Sequence, residues 1–130
     1  METKEYLQAY AKYSTNIYIY EQEIKAAQEQ LKGLPEFPPQ DITHRAQYEL
    51  IMLLHKHIKE CSRRLEKARQ ACEQIEALIN GLEDPRQRTI LQMRYIQQPP
   101  ETWEQIAEKT NYSVEHCHNL HRQALKKLKP

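Results

Sequence analysis

The sequence predicts an all-α fold: a long, coiled-coil-like N-terminal antiparallel helical hairpin followed by a C-terminal helix-turn-helix domain. Three observations lead there. The 130 residues are rich in Glu, Gln, Lys, Leu, Ala and Ile and hold two glycines and one phenylalanine, a mixture that favours helix over strand. Apolar residues recur at alternating gaps of three and four over two long stretches, the spacing of a heptad seam. Capping pairs and prolines then cut the last third into short helices. No period-two alternation is long enough to form a sheet.

The first helix is expected over about residues 4–32. Its seam runs through Tyr6, Tyr10, Tyr13, Ile17, Tyr20, Ile24, Ala27, Leu31 and Leu34. The tyrosines at this spacing read as core with hydroxyls reaching water, rather than as a stacking platform for bases. Gly33 stops the helix, and the Pro-rich linker 33–41 cannot continue it. The second helix is expected over residues 43–80, with Asp41 or Thr43 as its N-cap. Its seam is Leu50 or Ile51, then Leu54, Ile58, Cys61, Leu65, Ala68, Cys72, Ile75, Ile79 and Leu82. Gly81 closes it in the position after the C-cap. At 1.5 Å per residue the two helices span roughly 42 and 57 Å. The longer one therefore has seam to spare, to be covered by the C-terminal block or by a second chain. These elements make a hairpin unit over residues 1–82 and a second unit over 83–130.

In the second unit, Asp84 as N-cap, Pro85 at the first position and Gln87 at the third start a helix carrying Ile90, Leu91, Met93 and Tyr95. Gln97-Gln98-Pro99-Pro100 breaks it. Thr102 and Gln105 form a capping box for a short helix with Trp103, Ile106 and Ala107. Asn111 suits a left-handed turn, and Ser113 caps a last helix to about Leu128. Cys117, Leu120, Ala124 and Leu128 line one face of it, with small Ala107 letting that helix cross close by. Trp103 reads as core.

Several function classes drop out. The two glycines, Gly33 and Gly81, cannot build a phosphate-binding loop or a dinucleotide fingerprint. No stretch reaches the roughly 18–20 apolar residues of a membrane span. The N-terminus carries no apolar signal core, so a cytoplasmic chain is expected, with Cys61, Cys72 and Cys117 as reduced thiols. His116, Cys117, His118 and His121 do not converge at helical spacing, so no metal is expected there. His55 and His57 read as solvated or seam-edge side chains. No nucleophile–base grouping points to an enzyme, and no cofactor is implied.

The formal net charge of +1 hides an asymmetry. Residues 1–82 hold 11 Lys/Arg against 12 Asp/Glu, residues 83–130 hold 8 against 6, and residues 113–130 hold 4 against 1. Positive charge gathers on the last helix, with His116, His118 and His121 beside it.

Arg88-x-Ile90-Leu91-x-Met93-Arg94-Tyr95, Thr102-Trp103-x-x-Ile106-Ala107 and Ser113-x-x-x-Cys117-x-x-Leu120-His121-Arg122-x-Ala124-Leu125-x-Lys127-Leu128 resemble bacterial sigma-factor region four. With Arg94-Tyr95-Ile96, Asn111-Tyr112-Ser113 and the long helical extension, the chain also resembles phage-encoded late-gene regulators of the ArpU and RinA type. The specific likeness covers Asp84 to Lys129. Three positions depart from the sigma pattern: Asn111 stands for the usual Gly, Thr110 for an apolar residue and Cys117 for Val. The resemblance implies a cytoplasmic, sequence-specific regulator of transcription that binds double-stranded DNA. Val114, Glu115, His116, His118 and Asn119 would lie near bases, and Tyr112, Ser113, Arg122 and Lys126 at phosphates. Glu115 either accepts from cytosine N4 or stabilises its own helix N-terminus. One weakly basic helix binds weakly, so a homodimer through the N-terminal helices is expected, with RNA polymerase as a further partner. The rival expectation is a helical interaction module that binds polymerase or a sigma or anti-sigma partner without reading DNA.

Overall fold

The computed structural model describes residues 2–35 and 42–130. Among them are five α-helices, one π-helical turn and no strand: α1 (Thr3–Leu31), α2 (Arg45–Asn80), α3 (Pro85–Leu91), the π-helical turn Gln92–Ile96, α4 (Trp103–Thr110) and α5 (Val114–Lys127). The expected all-α class holds. No helix among the described residues is long and apolar enough to cross a membrane.

Contacts divide the chain into two compact units. One comprises residues 15–69; the other comprises residues 1–14 and 70–130. The division falls within both long helices.

In the 15–69 unit, α1 and α2 run antiparallel. Ala27 of α1 and Ile51, Cys61, Leu65 and Ala68 of α2 are buried. Arg69 donates to Glu21 at 3.0 Å across the pair. The seam choice between Leu50 and Ile51 resolves clearly: Ile51 is fully buried, whereas Leu50 is 44% exposed. Thr43 does not cap α2, which starts two residues later at Arg45. Asp41 lies outside the described residues, as does linker 36–41.

In the other unit, the start of α1 packs with the end of α2 and the C-terminal helices. Leu7, Tyr10, Cys72, Ile75, Ile79 and Leu82 are buried. The spare end of the α2 seam is thus covered within the chain. The seam of early α1 differs from the one read in the sequence. Thr3, Leu7 and Tyr10 lie on the inner side, while Tyr6 and Tyr13 are half-buried flanks. Both assignments obey the same gaps of three and four, so the run of tyrosines drew the reading one residue aside. The Tyr10 hydroxyl does not reach only water: it donates to Glu76 at 2.6 Å. Burial, then the Glu76 carboxylate, raises the pKa of this phenol. The Thr3 hydroxyl donates to the Leu128 carbonyl at 3.5 Å, tying the first turn of α1 to the end of α5.

Neither glycine has a positive φ, so Gly81 is not the left-handed cap that its place after α2 suggested. A Cβ added there would sit 3.4 Å from the Leu78 carbonyl and 3.5 Å from that of Ala77, which is ordinary contact. Gly81→Ala is therefore expected to stabilise the protein by about 0.4–1 kcal/mol, by restricting the unfolded chain. Denaturant midpoints compare the two proteins, and a clear loss of stability would contradict this.

Asp84 caps α3, accepting from Arg86 N at 2.9 Å, with Pro85 at the first position. Gln87 was expected to complete a capping box; instead its side chain is buried. After Leu91 the helix widens, and Gln97 N bonds the Gln92 carbonyl at 2.9 Å. This five-residue spacing carries Tyr95 into the core, where it is buried.

Candidate nucleic-acid interface

The helix-turn-helix is built from local signals that all agree. The Thr102 hydroxyl accepts from Gln105 N at 3.2 Å, and the Gln105 side chain accepts from Thr102 N at 2.9 Å. This reciprocal pair starts α4. Asn111 ends α4 at φ 62°, in the left-handed region that asparagine tolerates better than most residues. The Ser113 hydroxyl then accepts from His116 N at 3.0 Å and starts α5. Thr110, a polar residue where sigma domains are usually apolar, donates its hydroxyl to the Ile106 carbonyl at 2.7 Å. Its polar atom is thus satisfied within the helix.

These elements close over Ile90, Ile106, Cys117 and Leu120, against which Met93, Trp103, Ala107 and Tyr112 pack. Ala124 and Leu128 extend the buried side of α5. The opposite side follows from the 100° rotation per residue. Glu115, Arg122 and Lys126 are exposed there, with Asn119 half-buried between them. Among the described residues, the ion pairs of this segment engage Arg86 with Asp84 and Lys109 with Glu101, and none engages Arg122 or Lys126. Their charges stay available to a ligand.

The other residues read from sequence take varied positions. Val114 is 36% exposed at the N-terminal end of α5. Ser113 is exposed with its hydroxyl engaged as the cap. Tyr112 leans on the core, its ring edge-on to His116 at 4.8 Å between centroids. The His118 ring packs on Trp103 with centroids 4.2 Å apart. Arg94 covers the same indole, its guanidinium carbon 4.7 Å from the ring centroid. Trp103 is therefore half-buried and in contact with both His118 and Arg94. Gln123, exposed beside Arg122, was missed in the sequence. Its place on the outward side of α5 is the signal that could have found it.

His121 corrects an expectation. It does not add to the positive charge of α5, because it is buried. The Tyr95 hydroxyl and the His121 Nε2 share a hydrogen bond at 2.6 Å. Desolvation chiefly, then the neighbouring Lys4, His118, Arg94 and Arg122, lowers its pKa to about 4. The ring is neutral at pH 7 and serves the core.

A second missed group holds the connection into α4. Glu101 is buried. Its carboxylate accepts from Lys109 and from Gln97, the latter at 3.0 Å. Its carbonyl accepts from Arg94 at 3.0 Å. Lys109, then Gln97, lowers the Glu101 pKa against the opposing effect of burial. Pairs separated by four to eight residues, two of them across the Pro99-Pro100 break, leave no periodic trace in sequence.

No curated protein and no solved structure matches the chain. Residues 83–130 match the family model of sigma-70, region 4, and fold as a helix-turn-helix.

Proposed function

We propose that this chain is a sequence-specific regulator of transcription that binds double-stranded DNA, of the phage or prophage late-gene type. In this reading residues 83–130 are the DNA-binding domain and residues 1–82 the helical extension. The observation that carries it is the two-sided character of α5. One face is buried against α3 and α4, and the other offers Arg122 and Lys126, without acidic partners among the described residues. Inserted in a major groove, the N-terminal part of α5 would bring Val114, Glu115, His116, His118 and Asn119 to base edges. Tyr112, Ser113, Arg122 and Lys126 would contact phosphates. His118 would reach a base only from its stack on Trp103, so its weight in recognition is smaller than that of Asn119. Gln123 adds an amide able to pair with adenine.

The test is a binding titration of the full chain on duplexes selected from host and prophage genomic fragments. Affinity for a selected duplex should exceed that for scrambled duplex by about 10³-fold or more. It should fall linearly on a log–log plot against salt. Equal affinity for the two duplexes sinks the reading and favours an interaction module.

Homodimerisation through the N-terminal helices belongs to the same proposal. Its support is the apolar surface near the start of α2, where Leu50, Met52 and Leu53 are 44%, 42% and 63% exposed. Two half-sites would offset the weak charge of one α5. Sedimentation should give a dimer at micromolar concentration, and a monomer there removes this part. RNA polymerase is the further partner we propose, in line with the sigma-type domain.

A further inference from the structure

Away from the helix-turn-helix, three side chains with metal-binding chemistry converge on the hairpin. His57 and Cys61 stand one turn apart on α2, and Glu23 faces them from α1. The Cys61 sulfur lies 3.2 Å from Glu23 Oε2 and 3.6 Å from His57 Nε2. His57 Nε2 lies 3.9 Å from the same Glu23 oxygen. All three potential ligand atoms fall within 4.8 Å of one another.

We propose that Glu23, His57 and Cys61 bind a zinc-class divalent ion that links α1 to α2. Bond lengths of about 2.3 Å to sulfur, 2.0–2.1 Å to nitrogen and 2.0–2.2 Å to oxygen at tetrahedral angles separate the ligand atoms by about 3.4–3.6 Å. The observed separations bracket that range, so sub-ångström side-chain movement completes the site. The donor set argues for the class of ion. A thiolate and an imidazole disfavour calcium and magnesium, which take oxygen ligands. Three protein ligands leave a fourth position for water. Access also fits, since Cys61 is buried while the His57 and Glu23 side chains are 51% and 46% exposed and open to solvent. Without metal, burial and the neighbouring carboxylate keep the thiol protonated. Coordination expels that proton to solvent, so binding tightens as pH rises. The sequence hides this site because two of its ligands sit on one helix and the third lies 34 positions before the nearer of them.

The experiment titrates Co²⁺ into the reduced, untagged full chain and follows the thiolate-to-cobalt absorption band. One ion per chain should bind, and Zn²⁺ should displace it. Glu23→Gln and His57→Gln alter half-exposed side chains, so circular dichroism should show both folded. Each should weaken cobalt binding by at least about 10-fold, the loss that even second-shell changes cause. Cys61→Ser should abolish the band, and Cys72→Ser should retain it. Zn²⁺ should raise the thermal midpoint of the native chain but not that of Glu23→Gln. Absence of saturable binding overturns the proposal, as does a band that survives Cys61→Ser or is indifferent to Glu23→Gln and His57→Gln.

Discussion

Replacing Arg122 and Lys126 together with alanine is expected to weaken binding to a target duplex by about 30-fold near 0.15 M salt, because each lost phosphate contact forfeits about 0.9 of a released counterion. The slope of log K against log salt should become shallower by about two. The loss should be similar on matched and mismatched duplexes, since phosphates carry no sequence. Both side chains are exposed and, among the described residues, unengaged by acidic groups, so helicity and thermal midpoint should hardly change. Undiminished affinity in the folded double variant would remove α5 from the DNA interface. Asn119→Ala is the complement. It should narrow the gap between matched and mismatched duplexes by about 1–3 kcal/mol while leaving the salt slope intact.

The second large effect concerns acid. His121 titrates near 6.5 when unfolded and is lowered to about 4 in the native protein. Between these values the unfolded chain binds the extra proton and the native chain does not. Stability is therefore full above pH 6.5 and falls as pH drops toward 4. The loss reaches about 2 kcal/mol by pH 5 and about 3 kcal/mol by pH 4. Such amounts are large against the 5–15 kcal/mol typical of a domain. Protonation would also place a cation beside Lys4, His118, Arg94 and Arg122. His121→Gln keeps an acceptor but cannot charge. Denaturant unfolding at pH 7, 6 and 5 should show the native chain losing stability and His121→Gln holding nearly level. Parallel curves for the two would assign the acid sensitivity to other groups. Asp84, whose pKa Arg86 lowers to about 2, titrates well below this window.

Much of the fold was legible because the signals were local. Asp84-Pro85, Thr102 with Gln105, Asn111 and Ser113 each set a boundary through bonds within a few residues, and the structure has them there. The inner face of α5 was equally clear, since a 3.6-residue period is written in sequence. What failed depended on partners far along the chain. Leu7 rather than Tyr6 faces inward because of what packs on early α1, and both choices satisfy one heptad. Gln87 looked like a capping residue until the core took its side chain. His121 looked cationic until Tyr95, 26 positions before it, became its partner. On α5, which residues face outward was readable from the helical period, whereas the packing of His118 on Trp103 needed two helices in place.

The start of α1 has a consequence for how the protein is made. Residues 2–14 leave the ribosome before any of residues 70–130, yet they share a compact unit with them. Leu7 and Tyr10 therefore spend most of synthesis without their eventual neighbours. Bringing the two pieces together closes a loop of more than 50 residues, and such long-range contacts slow folding. The hairpin eases this. Once residues 15–31 zip against 45–69, the effective loop shrinks from the whole intervening chain to the join at each end. Early pairing of that hairpin is therefore expected to speed the joining of residues 2–14 to residues 70–130.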